Sequence, residues 1–158
     1  MMYIFISGWE TNLKFSAAHF IPYHSKCRRL HGHDYAIDIK ISGETVNGMV
    51  MDFVVIKKEL RKILESMDHK LILPLQGKDI TYTKNDDSYR IKYENHEMVI
   101  PEEFVFICDV QHTSSEELAK YMARIIRKNV DIPPNVSKIE VSVYEGPGQK
   151  ATWEEELN

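Results

Sequence analysis

From His31 to Ile41 the chain alternates so strictly that a β-strand with one buried face is the structure it fits. His31, His33, Tyr35, Ile37, Ile39 and Ile41 fall on one face, and Asp34, Asp38 and Lys40 on the other. Leu13, Phe15, Ala17 and His19 share a face in the same way over 13–19. Two such strands predict an antiparallel sheet with one covered side. Helical spacing takes over at Asp52, which suits an N-cap. Ile56, Leu60, Ile63, Leu64 and Met67 then form an apolar stripe, with Lys57, Lys58, Arg61 and Lys62 outside. Pro74 blocks continuation beyond that helix. Ser114 and Glu117 make an S-x-x-E capping box ahead of the stripe Leu118, Tyr121, Met122, Ile125 and Ile126. A loop at 131–135 carries Pro133 and Pro134. It leads to a strand through Ile139, Val141, Val143 and Glu145, a turn at Gly146-Pro147-Gly148 and a last strand over 151–155. Between the helices, 75–108 reads as an insertion. Its expected parts are a hairpin of 89–93 with 98–100 around Glu94–Glu97, and a short apolar strand at 104–107. The order is strand pair, helix, insertion, helix, strand pair, an α+β pattern on a chain of 158 residues, expected to be one domain over 1–158.

The net charge of −4 argues against a general nucleic-acid or membrane-surface partner. Apolar residues make up 43% and charged ones 28%, the balance of a globular protein. Two cysteines, Cys27 and Cys108, are too few for a disulfide framework and suit a reducing compartment. Met1–Gly8 has neither the basic leader of a signal peptide nor the length of a membrane span, so a cytoplasmic location is expected.

The chemistry concentrates in Cys27-Arg28-Arg29-Leu30-His31-Gly32-His33. Histidines at i and i+2 of a strand project from one face and can converge on a metal ion, with Gly32 leaving room for a close approach. His19 ends the buried series of the preceding strand, and pairing of the two strands would bring it alongside. Three imidazoles with an open fourth position suit a catalytic zinc. The competing reading is a set of core histidines satisfied by hydrogen bonds. Cys27 can be a fourth ligand of a closed His3Cys site, a reactive thiol beside Arg28 and Arg29, or a small buried apolar residue. Asp68-His69 closes the first helix either as a proton-transfer pair or as a solvated cap. Glu145 continues an apolar strand face, where its carboxylate needs partners such as the adjacent N–H donors of a guanidine-like ligand; the alternative is a strand-end charge in solvent.

These residues together resemble the 6-pyruvoyl-tetrahydropterin synthase family, which includes the 6-carboxytetrahydropterin synthases. The resemblance runs through Phe15-Ser16-Ala17-Ala18-His19, Cys27-x3-His31-Gly32-His33, Met67-Asp68-His69-Lys70, Thr113-Ser114-Ser115-Glu116 and Val143-Tyr144-Glu145. It implies the tunnel fold, a four-stranded antiparallel sheet with two helices on one face, joined into trimers that commonly stack as hexamers. It implies zinc on His19, His31 and His33. Cys27 takes the place of the catalytic cysteine, with Asp68 and His69 as its partners in proton transfer. Glu145 takes the place of the carboxylate that anchors the pterin, with Ser114, Ser115 and Glu116 nearby. The implied substrate is 7,8-dihydroneopterin triphosphate. Arg28 and Arg29 are either partners of its phosphates or solvated charge. The three-residue spacer between Cys27 and His31 is similar to that of the 6-carboxytetrahydropterin synthases. The departures from the family pattern are the 75–108 insertion, similar to that of some archaeal members, and Glu117 where many relatives carry Asn.

Three functions follow as expectations. A 6-carboxytetrahydropterin synthase would release triphosphate and acetaldehyde on the way to the 7-deazaguanine bases of tRNA, queuosine and archaeosine. A 6-pyruvoyl-tetrahydropterin synthase would release triphosphate only. A non-catalytic domain would hold a closed His3Cys zinc and would need neither Asp68-His69 nor Glu145.

Overall fold

The structure, a computed structural model, describes residues 1–157. Its elements in chain order are β1 (Met2–Ile6), β2 (Lys14–His19), β3 (His31–Gly43), α1 (Phe53–Met67), β4 (Lys70–Pro74), β5 (Thr81–Asn85), β6 (Ser88–Tyr93), β7 (His96–Pro101), β8 (Val105–Cys108), α2 (Ser115–Asn129), β9 (Val136–Glu145) and β10 (Lys150–Glu156). Short 3-10 turns stand at Ser25–Arg28 and Glu102–Phe104.

The antiparallel set β2–β3–β9–β10 is the four-stranded sheet expected from the alternating faces. Its inner face packs on both helices: Phe15, Tyr35, Ile37, Ile39, Val141 and Val143 meet Ile56, Leu60, Leu118 and Met122 in one core. Both helices start where local chemistry predicts. Asp52 accepts from the Val54 N–H at 2.8 Å, and Ser114 from the Glu117 N–H at 3.4 Å.

The sheet is wider than the expected four strands. β1 pairs with the far half of β3, and β4 and β8 add parallel neighbours beyond β2. After Lys70, β4 reads Leu-Ile-Leu-Pro, an apolar run suited to a strand buried on both faces. Ile72 enters the helix-side core, whereas Leu71 and Leu73 join a second core with Phe20, Ile80, Ile91, Tyr93 and Val105. That second core is what the insertion builds. The expected hairpin is β6–β7, closed by Glu94 and Asn95, and β5 adds a third strand for which the mostly exposed 81–85 gave no signal.

Asp38 departs from expectation. Its alternation places it outside with Asp34 and Lys40, yet it is 4% exposed. The segment after β1 folds over that face, and Gly8 comes so close that a Cβ there would stand 2.5 Å from the Ile37 carbonyl oxygen. The Gly8 N–H and the Tyr144 hydroxyl both donate to Asp38, each at 2.8 Å, which compensates its burial. No helix among the described residues is long and apolar enough to cross a membrane.

Candidate active site

Pairing of β2 with β3 places His19 directly opposite His31, and His33 lies two residues further along the same face. The ring centroids are 4.6 Å apart for His19–His31, 5.1 Å for His19–His33 and 5.0 Å for His31–His33. One ring nitrogen from each lies within 4.8 Å of the others, and these three residues are the group that gathers in this way among the described residues. Cys27 stands outside it.

Two backbone carbonyls aim the rings. His19 Nδ1 donates to the Thr113 carbonyl at 2.7 Å, and His31 Nδ1 to the Arg29 carbonyl at 2.7 Å. Each hydrogen bond commits the proton to Nδ1 and leaves Nε2 as a lone pair facing the group, the arrangement used by metal-binding histidines. His19 is 1% exposed, and its Nε2 is buried without a partner. Burial, reinforced by the neighbouring His31 and His33, lowers its pKa to about 4 against the help of the Thr113 hydrogen bond, so the ring is neutral at pH 7. The core-histidine reading fails at this atom, because a satisfied imidazole would not bury an orphaned nitrogen.

Glu145 closes the group. Paired across from Tyr35, it brings Oε2 to 3.8 Å from His33 Nε2 and Oε1 to 4.0 Å from His19 Nε2. Burial raises its pKa, opposed by His33 and His31 and aided by the charge of Glu116. The Tyr35 hydroxyl below is also buried without a partner. The lone pairs of His19 and His31 and the carboxylate oxygens are all acceptors. A cation or a ligand rich in N–H donors is the chemistry that satisfies such a set. The donor set therefore fits a metal ion held by three imidazoles.

Gly32 has a different role from the expected one. Its missing side chain faces away from the imidazoles, where a Cβ would stand 3.0 Å from the Ala17 carbonyl oxygen. The close approach it permits is to β2, not to the metal position.

Asp68 and His69 close α1 and dock on β2. Ser16 N–H donates to Asp68 Oδ1 at 2.8 Å, His69 N–H donates to the Ser16 carbonyl at 2.7 Å, and Asp68 Oδ2 lies 2.9 Å from His69 Nδ1. His69 has φ of +61°, a left-handed conformation that histidine adopts more readily than most side chains and that those contacts hold here. Its ring is exposed and lines a cavity of about 620 Å³ with Ser16, Gly32, His33, Asp34 and Phe104. Cys27 is half-buried and lines a separate cavity of about 430 Å³ with Lys26, Arg29 and His31; Leu30 borders both. Within one chain the thiol and the Asp68-His69 pair are thus not brought into one cavity. Ser114 is engaged as the cap of α2, and the Ser115 hydroxyl donates to Glu116 at 3.3 Å. Sequence reasoning missed Thr113 and Arg29 as aiming groups, and no signal could have found them, because both act through backbone oxygens.

A tunnel-fold sheet that carries three converging imidazoles beside a half-buried carboxylate defines an enzyme of the pterin-synthase type. The chain belongs to the 6-pyruvoyl tetrahydropterin synthase family, whose model matches residues 10–156. It is 38% identical over 161 residues to a Methanocaldococcus jannaschii protein provisionally named 6-carboxy-5,6,7,8-tetrahydropterin synthase, covering 99% of this chain and 98% of that one. It is 28% identical over 156 residues to the 6-carboxy-5,6,7,8-tetrahydropterin synthase of Aquifex aeolicus, covering 94% and 90%. The crystal structure of 6-pyruvoyl tetrahydropterin synthase from Plasmodium vivax superposes with a TM-score of 0.91 at 28% identity, covering 99% of this chain and 98% of that one.

Proposed function

We propose that this protein is a zinc-dependent lyase that converts 7,8-dihydroneopterin triphosphate and one water to 6-carboxy-5,6,7,8-tetrahydropterin, releasing triphosphate and acetaldehyde for 7-deazaguanine synthesis (queuosine or archaeosine). The observation that carries it is the convergence of unclaimed imidazole nitrogens with the Glu145 carboxylate. His19, His31 and His33 hold the metal. Zinc bound there supplies Lewis acidity that makes the C–H bonds beside the substrate's side-chain oxygens easier to deprotonate.

The chain's own residues do the rest. Glu145 accepts from the paired N–H donors of the pterin edge, with Ser114, Ser115 and Glu116 beside it. Cys27 takes a proton from the substrate side chain, and His69, oriented by Asp68, exchanges one through its free Nε2. Because the thiol and the Asp68-His69 pair line separate cavities in one chain, the reading includes a homo-oligomer, trimer or hexamer, in which one chain's pair meets another chain's Cys27 loop. The whole chain acts as one unit in the cytoplasm.

The three-residue spacer between Cys27 and His31 supports the carboxy product, as does the 38% identity to a relative provisionally named for that reaction. Incubation with dihydroneopterin triphosphate should yield acetaldehyde in step with triphosphate. Triphosphate without acetaldehyde would establish the pyruvoyl reaction, and neither product would leave a closed His3Cys domain.

Glu145→Gln replaces one acceptor oxygen with a donor and removes the charge. A charged hydrogen-bond anchor contributes about 1.5–3 kcal/mol, so pterin affinity should fall roughly tenfold or more. Unchanged affinity in calorimetry would remove Glu145 from that role.

A further inference from the structure

The insertion grips the Cys27 loop at both ends through two consecutive residues of one hairpin tip. Phe20 opens that loop immediately after the metal-site residue His19 and is 2% exposed. Its ring stacks on Tyr93 with centroids 4.2 Å apart and an interplanar angle of 27°. The next residue, Glu94, reaches the loop's other end: Oε1 lies 3.7 Å from Nη1 of Arg28, the residue after Cys27. Between these points the loop closes on itself. Ile21 N–H donates to the Cys27 carbonyl at 2.7 Å, and Arg28 N–H to the His24 carbonyl at 3.0 Å.

Glu94 is a costly residue to place there. Its side chain is 12% exposed, and its second oxygen, Oε2, is buried without a partner. Its φ is +50°, in the left-handed region that a two-residue turn usually fills with Gly or Asn. A tip with no role would be expected to expose its carboxylate to water and carry Asn-Gly. A strained, nearly dehydrated Glu whose compensating charge is Arg28 is the kind of local conflict that marks a functional position.

We propose that the inserted hairpin is a brace for the Cys27 loop and that Glu94, acting through Arg28, is a positioning residue that sets where the Cys27 thiol stands. The catalytic part of this rests on the reading of Cys27 as the proton-transferring group. The stacking of Phe20 on Tyr93 fixes the start of the loop relative to His19, and the Glu94–Arg28 contact fixes its end. The thiol is thereby held in register with the imidazoles.

The test uses the full chain with its metal bound. Glu94→Gln keeps the volume and removes the charge, and Arg28→Gln removes the same contact from the other side. In Glu94→Gln, kcat should fall about tenfold or more, as misplacement of a catalytic group predicts, with KM, metal content and melting temperature unchanged. Iodoacetamide should alkylate Cys27 about threefold faster, because the loop loosens and the half-buried thiol opens to the reagent. In the Arg28→Gln background, Glu94→Gln should add no further loss, whereas a general structural role would add one. Unchanged kcat together with an unchanged alkylation rate, or a kcat loss that persists in the Arg28→Gln background, would overturn the proposal. The alkylation rate needs no pterin turnover. An active Cys27→Ala enzyme would refute the catalytic reading, while a faster-reacting Cys27 in Glu94→Gln would still establish the brace.

Discussion

Cys27→Ala should lower turnover by about 10²–10⁴-fold, the range for loss of a general acid or base, while the protein keeps its metal and its fold. The group of converging nitrogens is complete without the thiol, since His19, His31 and His33 gather on their own. Cys27 is half-buried in a loop whose backbone bonds do not involve its side chain, so the fold loses little when the sulfur is removed. Reactivity should separate the two cysteines. Cys108 is fully buried, and burial pushes its thiol up to about 12, which leaves it inert to iodoacetamide at neutral pH. Cys27 should react, and bound pterin should block the reaction. A variant that loses metal along with activity would instead make Cys27 a fourth ligand, which would return the closed-site reading.

His31→Ala or His33→Ala should leave the protein unable to retain a metal ion through dialysis. The affinity loss should exceed the roughly 10–100-fold typical of disturbing only an outer partner of a ligand. Elemental analysis reads it directly. Thermal unfolding gives a second measure: metal at about 100 times its dissociation constant stabilises the wild-type protein by about 2.7 kcal/mol, or several degrees, and should not shift the melting temperature of either variant. Both residues lie at the partly exposed end of β3, beyond the buried run from Tyr35 to Ile39, so the metal-free variants should still fold. Full metal occupancy in either variant would show that the imidazoles are not the ligands.

Much of the frame was legible because it depends on contacts a few residues apart. The alternation over 31–41, the apolar stripes of α1 and α2, and the caps Asp52 and Ser114 all stand where their periods and side chains place them. So does the hairpin of β6 and β7. Opposition of His19 and His31 followed from two strands sharing a buried face. β5 was not legible, because its largely exposed residues carry no burial pattern to read. β4 was not legible as a strand either: Pro74 marks only where the helix cannot continue, and a short apolar run beside a proline looks the same whether it ends a helix or joins a sheet.

The sequence by itself determined which residues are able to bind metal and exchange protons, and on which strands and helix ends they stand. These properties belong to side-chain chemistry and to periods of two or 3.6 residues. Only the tertiary structure decided how those groups are aimed. The oxygen that orients His19 comes from Thr113, 94 positions away, and a backbone carbonyl has no signature in the residue that bears it. Asp38 is buried because the chain around Gly8 folds across it, and burial is set by what covers a face rather than by the strand that presents it. The separation of Cys27 from His69 and the grip of Tyr93 and Glu94 on the Cys27 loop arise in the same way. Each depends on distances between segments far apart in the chain, which packing sets and local periodicity does not encode.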